Sequence, residues 1–199
     1  MGQPIKSKAP EKSFWSTLFT TTASAVDVFD REEREQVAAS IRGPGATEFS
    51  APVFAEPQVL VAGARPIAVG WVSPKVTEIK ITAKSGAIIV AGKGAGSLWI
   101  SPLGDLRPGD YRNEFASSGG KVARAIQVIP ASAAPNRPKE LDDAALPAEL
   151  RAAAVWFAST DKKYRLEALQ SVAPIAQSSR AGRLLTLAII QGRDVAASR

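Results

Sequence analysis

The side chains that could do chemistry in this chain are few, because its 199 residues include neither histidine nor cysteine. The absence of cysteine excludes disulfides and thiolate sites, and the absence of histidine removes the commonest general base and metal ligand. Catalysis would have to use a carboxylate pair such as Asp105 and Asp110, or a serine and lysine couple. No pattern places such groups around a pocket, and Asp110 also suits the turn before Tyr111. We therefore expect a protein that is not an enzyme and has no cofactor and no metal site.

A glycine-rich stretch, residues 91–97, is similar to a phosphate-binding loop. The spacing G-x-x-x-x-G-K-[ST] is not met, and the stretch precedes a strand-like run instead of a helix. We interpret it as a turn between strands, and residues 117–121 as a hairpin loop. Because loops that a rigid scaffold holds in place often bind partners, Lys93 and Lys121 are predicted partner contacts.

The middle of the chain has the alternation of β-strands. Seven short β-prone runs, bounded by Gly, Pro, Ser or Asp, follow one another at intervals of roughly 8 to 12 residues. Parallel strands would need helices between them, and these intervals leave no room for helices. The sequence therefore predicts a seven-stranded antiparallel β-sandwich over residues 58–130. The runs are residues 59–62, 67–71, 76–82, 87–91, 97–101, 111–117 and 122–129.

Two motifs stand in this region: Ile67-x-Val69-x-Trp71-x-x-Pro74 and Leu103-x-x-Leu106-x-Pro108-Gly109-x-Tyr111. Together they resemble a fibronectin type III-like or immunoglobulin-like β-sandwich module. The resemblance implies that Trp71 is buried in the core and that the Tyr111 hydroxyl satisfies a backbone group at the corner before the sixth strand. Asn113 and Arg124 depart from the family pattern, since both interrupt faces that would be apolar, and they leave open a more generic immunoglobulin-like sandwich.

The N-terminal segment, residues 1–57, is predicted to be a helical part followed by an extended linker over residues 43–57. The apolar side chains of residues 13–29 fall on one arc at 100° steps, which predicts an amphipathic helix. Its apolar stripe could dock on the body of the protein, on a partner or on a membrane surface. The basic leader and the sequence Ala23-Ser24-Ala25 leave a cleaved secretory signal as a further alternative. The stripe residues predicted to contact a partner are Phe14, Trp15, Leu18, Phe19, Val26 and Phe29.

The C-terminal part of the chain returns to helical periodicity. Residues 131–146 have the composition of a linker, and residues 147–199 predict a helical hairpin or three-helix tail. The last helix, over residues 180–191, is apolar nearly all round and must be covered. The apolar surface that the chain itself does not cover is a predicted protein contact. We assign that contact to Leu184, Leu185 and Ile189.

The whole pattern predicts an α+β protein: an antiparallel sandwich flanked by an N-terminal amphipathic helix and C-terminal helices. Two apolar helical stripes beside a β-module favour a non-catalytic interaction or scaffold protein that binds other proteins or assembles with itself. The pattern favours the bacterial periplasm or cell envelope over the cytoplasm, with residues 13–29 available to a membrane surface. Residues 151–199 carry 8 basic and 3 acidic side chains, so nucleic-acid binding through the C-terminal helices is the alternative. Those helices lack interleaved aromatics, and a solvated face explains their charge more simply.

Overall fold

The computed structural model describes residues 49–72, 76–94, 96–135, 147–158 and 161–192. The predicted N-terminal helix and most of the linker over residues 131–146 lie outside the described residues. The strands are β1 (Gln58–Val61), β2 (Gly63–Gly70), β3 (Val76–Ala83), β4 (Ile88–Gly92), β5 (Leu98–Leu106), β6 (Gly109–Ser117) and β7 (Gly120–Ile129). The α-helices are α1 (Ala148–Ala158), α2 (Arg165–Val172) and α3 (Arg180–Ile190).

The strands form two sheets that pack on a shared apolar core. The larger sheet has the order β1-β7-β6-β3-β4, and the smaller one pairs β2 with β5. The prediction of a seven-stranded sandwich-like fold followed by helices is therefore confirmed for the described part of the chain.

The prediction that all strands are antiparallel is wrong at one edge. Strand β1 pairs with β7 in parallel, with Gln58 opposite Ile126. The chain leaves β1 and enters β2 in the other sheet after one residue, so β1 does not turn back in a hairpin. Side-chain alternation shows which face of a strand is buried but carries no information on the direction of its neighbour.

Aromatic rings fill the centre of the sandwich. Trp71, which follows β2, is only 1% exposed, as the sequence motif implied. Its ring meets the Phe115 ring edge-on, with centroids 6.2 Å apart. Phe49 and Phe54 contact the same Phe115 ring at 4.8 and 5.7 Å. Burial of each such ring contributes roughly 1.5 to 3 kcal/mol, so this cluster is a main source of stability.

Asn113 and Arg124, the two departures from the family pattern, have different environments. Asn113 is 0% exposed, and neither atom of its amide group has a hydrogen-bond partner among the described residues. Arg124 is half-buried, and its Nη1 donates to the carbonyl of Ala123 at 3.2 Å. Arg124 therefore lies at the margin of the core with a hydrogen-bond partner. Asn113 lies inside the core without one, and its burial costs free energy.

The corner before β6 is closed by a tyrosine side chain. The Tyr111 hydroxyl donates to the carbonyl oxygen of Arg107 at 2.8 Å and accepts from the Arg107 backbone N–H at 3.1 Å. Between them Gly109 has a φ of 150°, which side chains rarely adopt. The interpretation of this motif as a corner-closing turn agrees with the geometry.

We expect Tyr111→Phe to lower the free energy of unfolding by about 1 to 2 kcal/mol, because it removes both hydrogen bonds and keeps the ring. Urea denaturation measures the change. Tyr164→Phe is the matched control, since it also removes one hydroxyl and keeps the ring, which here packs on the Trp156 ring with centroids 5.1 Å apart. An equal loss in both variants would show that the two Tyr111 hydrogen bonds do not account for the loss of stability.

Helix α2 covers the side of the sandwich where β1 and β2 leave backbone groups unpaired by other strands. Glu167 accepts a hydrogen bond from the Val61 N–H at 2.9 Å. Gln170 accepts from the Ala68 N–H at 2.7 Å and donates to the Ala68 carbonyl at 2.9 Å. In return, Gln58 of β1 accepts from the Leu166 N–H at 2.9 Å. These side chains replace the strand that the two edges lack.

A buried carboxylate is the centre of this contact. Glu167 is bound by both terminal nitrogens of Arg65, at 2.7 and 2.6 Å. The Glu167 side chain is 5% exposed and that of Arg65 is 28% exposed. A charge buried in this way is stable only with its partner and its backbone donor in place.

We expect Glu167→Ala to lower the free energy of unfolding by about 2 to 4 kcal/mol, because it leaves Arg65 and the Val61 N–H without their acceptor. Denaturation by urea at neutral pH measures this. Glu78→Ala removes a partly exposed carboxylate paired with Lys80 at 2.9 Å and serves as the control. Its expected loss is below about 1 kcal/mol. Similar losses in both variants would show that the buried ion pair contributes no more to stability than the exposed one.

Helix α3 packs against the sandwich next to α2. Ser179 caps its first turn by accepting from the Gly182 N–H at 3.1 Å. At its other end Ile190 lies on Gly70 of β2, where an added Cβ would be 2.7 Å from Ile190 Cδ1. Arg165 of α2 also donates to the Gly192 carbonyl at 2.9 Å, so both helices are joined to each other and to the strands.

We expect Gly70→Ala to lower the free energy of unfolding by about 1 to 3 kcal/mol through overpacking against α3. The double variant Gly70→Ala with Ile190→Ala should be less unstable than the sum of the two single changes, because the smaller side chain makes room. Thermal and urea denaturation of the four proteins measure the coupling. Simple additivity would contradict the contact.

Candidate functional site

The carboxylates considered for catalysis lie apart on the surface. Asp105 pairs with the Arg107 guanidinium at 3.3 Å, and Asp110 pairs with the Lys84 ammonium at 3.5 Å. Both pairs are largely exposed. Among the described residues, no cluster of acidic side chains could hold a metal ion. No helix in the described ranges is long and apolar enough to cross a membrane.

The two predicted lysine contacts are exposed at the same end of the sandwich. Lys93 follows β4 in the connection to β5, which agrees with a turn between strands. Lys121 lies at the start of β7, beside the hairpin from β6. An added Cβ at the neighbouring Gly94 would lie 2.5 Å from the Val76 carbonyl. Val76 is itself opposite Ser117 of the hairpin, so the two loops are neighbours.

The predicted contact surface on α3 needs correction. Leu185 is 5% exposed and Ile189 is 0% exposed, because both belong to the core that α3 shares with α2 and the strands. They are not accessible to a partner in this fold. Leu184 is half-buried and keeps some accessible surface. The six predicted contacts in residues 13–29 lie outside the described residues.

A groove of about 320 Å³ lies between α3 and the start of β5. Leu98, Leu187 and Ile190 contribute apolar surface to it, and Arg183 and Thr186 also line it. The Thr186 hydroxyl has no hydrogen-bond partner among the described residues. Some of the apolar surface of α3 is therefore accessible in this groove.

The basic side chains of the helices are partly engaged within the chain. Arg165 is buried and donates to the Gly192 carbonyl. Lys163 forms an ion pair with Asp161, whose hydrogen bond raises the pKa of the Lys163 ammonium above its ordinary value. Arg180 and Arg183 are exposed. A nucleic-acid surface would thus have fewer cations than the sequence count indicated.

The largest exposed apolar side chains of the described residues were not predicted as contacts from the sequence. Ile88 of β4 is 59% exposed, and Ile100 and Leu103 of β5 are 42% and 70% exposed. Strands β4 and β5 end their respective sheets on the side away from α2, and an added Cβ at Gly104 would lie 3.0 Å from Val90. We name β4 and β5 together the open edge. The run of uncharged residues at 87–91 was the available sequence signal.

No known family profile matches the chain, and no curated protein matches it. Among solved structures, CopC from Methylosinus trichosporium OB3b has 21% identity over 38% of this chain and 85% of its own, with a TM-score of 0.28. A chimeric titin Z1Z2 carrying a decorin peptide has 16% identity, 42% and 97% coverage, and a TM-score of 0.29. The fibronectin(III)-like modules of Clostridium thermocellum CbhA have 14% identity, 39% and 93% coverage, and a TM-score of 0.26. Likenesses this weak assign neither a family nor a function.

Proposed function

We propose that this chain is a non-catalytic protein-interaction module of the fibronectin type III or immunoglobulin kind, with its partner bound at the open edge. The observation that carries the proposal is the exposure of Ile88, Ile100 and Leu103 on two adjacent strands. Buried large aliphatic side chains contribute roughly 1.5 to 3 kcal/mol each, so a partner that covers them gains substantial free energy.

The charge of the sandwich indicates what kind of partner suits this edge. Residues 58–130 carry 9 basic and 4 acidic side chains, a net charge of +5. Lys93 is exposed in the connection between β4 and β5. An apolar surface bordered by cations favours a partner with apolar and acidic residues.

Membership of the fibronectin type III or immunoglobulin class is supported by the buried Trp71 and by the Tyr111 corner. The scaffold role includes the predicted attachment helix over residues 13–29 and the accessible part of Leu184. Location in the bacterial periplasm or cell envelope stays a prediction. No observation favours nucleic acid over protein as the partner.

Photocrosslinking in the native host tests the proposal. A photoreactive amino acid at position 103 should yield a discrete adduct of constant size, because Leu103 is the most exposed large apolar side chain described. Mass spectrometry identifies the partner or shows a second copy of the chain. The matched control is position 125, where Ala125 is exposed on β7 within the larger sheet. Adducts that are absent at position 103, or that are the same at both positions, would contradict the proposal.

A further inference from the structure

The groove between α3 and the start of β5 has an apolar wall with a cation at its rim. One face of α3 forms the wall, since its lining residues recur at i, i+3, i+4 and i+7: Arg183, Thr186, Leu187 and Ile190. Leu98 of β5 lines the groove from the strand side. Arg183 is exposed, and no ion pair among the described residues includes it. The groove therefore suits an apolar group that lies next to negative charge.

The described chain begins beside this groove. The Trp71 N–H donates to the Ser97 carbonyl at 3.0 Å, and the next N–H, that of Val72, donates to the Ser50 carbonyl at 2.9 Å. Ser50 and Ser97 thus flank the same two residues, about two strand spacings or roughly 10 Å apart. Ser97 itself lines the groove. The segment that precedes Phe49 therefore leaves the sandwich close to the groove.

The end of α3 lies next to the same part of the chain, since an added Cβ at Gly192 would lie 2.9 Å from the Cβ of Pro52. Residues 30–48 connect this point to the predicted amphipathic helix over residues 13–29. These 19 residues span at most about 60 to 70 Å, which is enough to reach the groove. A tether of this kind gives the helix an effective concentration on the order of millimolar, so a weak contact can form within one chain.

We infer that the apolar stripe of residues 13–29 docks in the groove between α3 and β5 of its own chain. The stripe needs cover, and the groove offers apolar surface. Residues 27–35, where the stripe ends, carry five acidic and two basic side chains, which complement Arg183 and the exposed Arg180. The groove of about 320 Å³ takes the side chains of one helical face, because a whole helix is about 10 to 12 Å across.

Docking would make the stripe a regulated contact. While the stripe lies in the groove, it is covered and cannot bind a partner or a membrane surface. A competitor for the stripe must bind the released state, so its apparent affinity falls with the fraction of chains in which the stripe is free. The groove includes neither Ile88 nor Leu103, so this inference goes beyond the proposed function and does not depend on the crosslink at position 103.

Cysteine crosslinking tests the docking, because the chain contains no cysteine of its own. The test protein is the full chain with Thr20→Cys and Gln177→Cys, treated with a short bismaleimide reagent at low protein concentration. Thr20 falls opposite the stripe at 100° steps, and Gln177 is exposed at the groove. The control protein combines Thr20→Cys with Ala125→Cys, on β7 in the larger sheet. We expect at least about fivefold more intrachain crosslink in the test protein, measured by mass spectrometry of the digested monomer.

Two leucines of α3 make the test specific to the groove. Both are half-buried, and Leu187 lines the groove whereas Leu184 does not. Leu187→Glu should lower the crosslink yield by about fivefold or more, since it places a charge among the apolar contacts. Leu184→Glu should leave the yield within about twofold. Leu18→Glu, in the stripe itself, should lower the yield as Leu187→Glu does and leaves α3 unchanged. Equal yields in the two α3 variants would contradict docking in the groove.

Reversal of one charge tests the contribution of Arg183. Arg183→Glu should lower the crosslink yield by about threefold at low salt, and the difference should shrink at about 1 M salt, where charges are screened beyond about 3 Å. Arg112→Glu, the same change at an exposed position on β6, is the control and should leave the yield unchanged. Equal yields in these two variants would contradict the charge argument.

Three results would overturn the inference. Equal yields from the test and control proteins would show that the stripe does not lie at the groove. Crosslinks between chains, with a yield that rises with protein concentration, would identify a second copy as the occupant. Flotation of the full chain with phosphatidylglycerol vesicles, together with no groove crosslink when vesicles are absent, would assign the stripe to a membrane surface.

Discussion

The fold depends on the way in which helix α2 satisfies the backbone groups of β1 and β2. These two strands end different sheets on the same side, and their edges cannot both be paired by strands of this chain. Glu167 and Gln170 supply hydrogen bonds to Val61 and Ala68 instead. Because Glu167 is charged and buried, this contact also requires the ion pair with Arg65, at 2.6 Å. Helix and sandwich therefore share a single core.

This docking gives the molecule two different sides. On one side, polar side chains of α2 form hydrogen bonds to the backbone of β1 and β2. Helix α3 packs beside them, with Ile190 against Gly70. The opposite side keeps strand edges and apolar side chains at the surface, with Ile88 and Leu103 the most exposed. A protein without histidine or cysteine has few side chains for catalysis, whereas exposed apolar side chains are typical of surfaces that contact other proteins.

Strand positions and core residues could be predicted from the chain alone because they depend on local alternation and turn chemistry. The seven runs, the burial of Trp71 and the corner at Tyr111 all follow from that local information. The parallel direction of β1 and the burial of Leu185 and Ile189 could not be predicted in this way. Both depend on which distant segment lies next to the residue, and periodicity carries no information about that neighbour.

By itself, the sequence determined which chemistry is excluded, where the strands lie, and which residues turn the chain. Composition removes side-chain types outright, and turns depend on single residues such as Gly109. Only the tertiary structure decided which apolar surface is covered and which is exposed. The alternation of residues in a strand does not show whether another part of the chain covers its edge. The covering residue can lie about a hundred positions away, as Glu167 does from Val61. The corner at Tyr111 closes the sandwich before β6, and α2 covers the edges of β1 and β2.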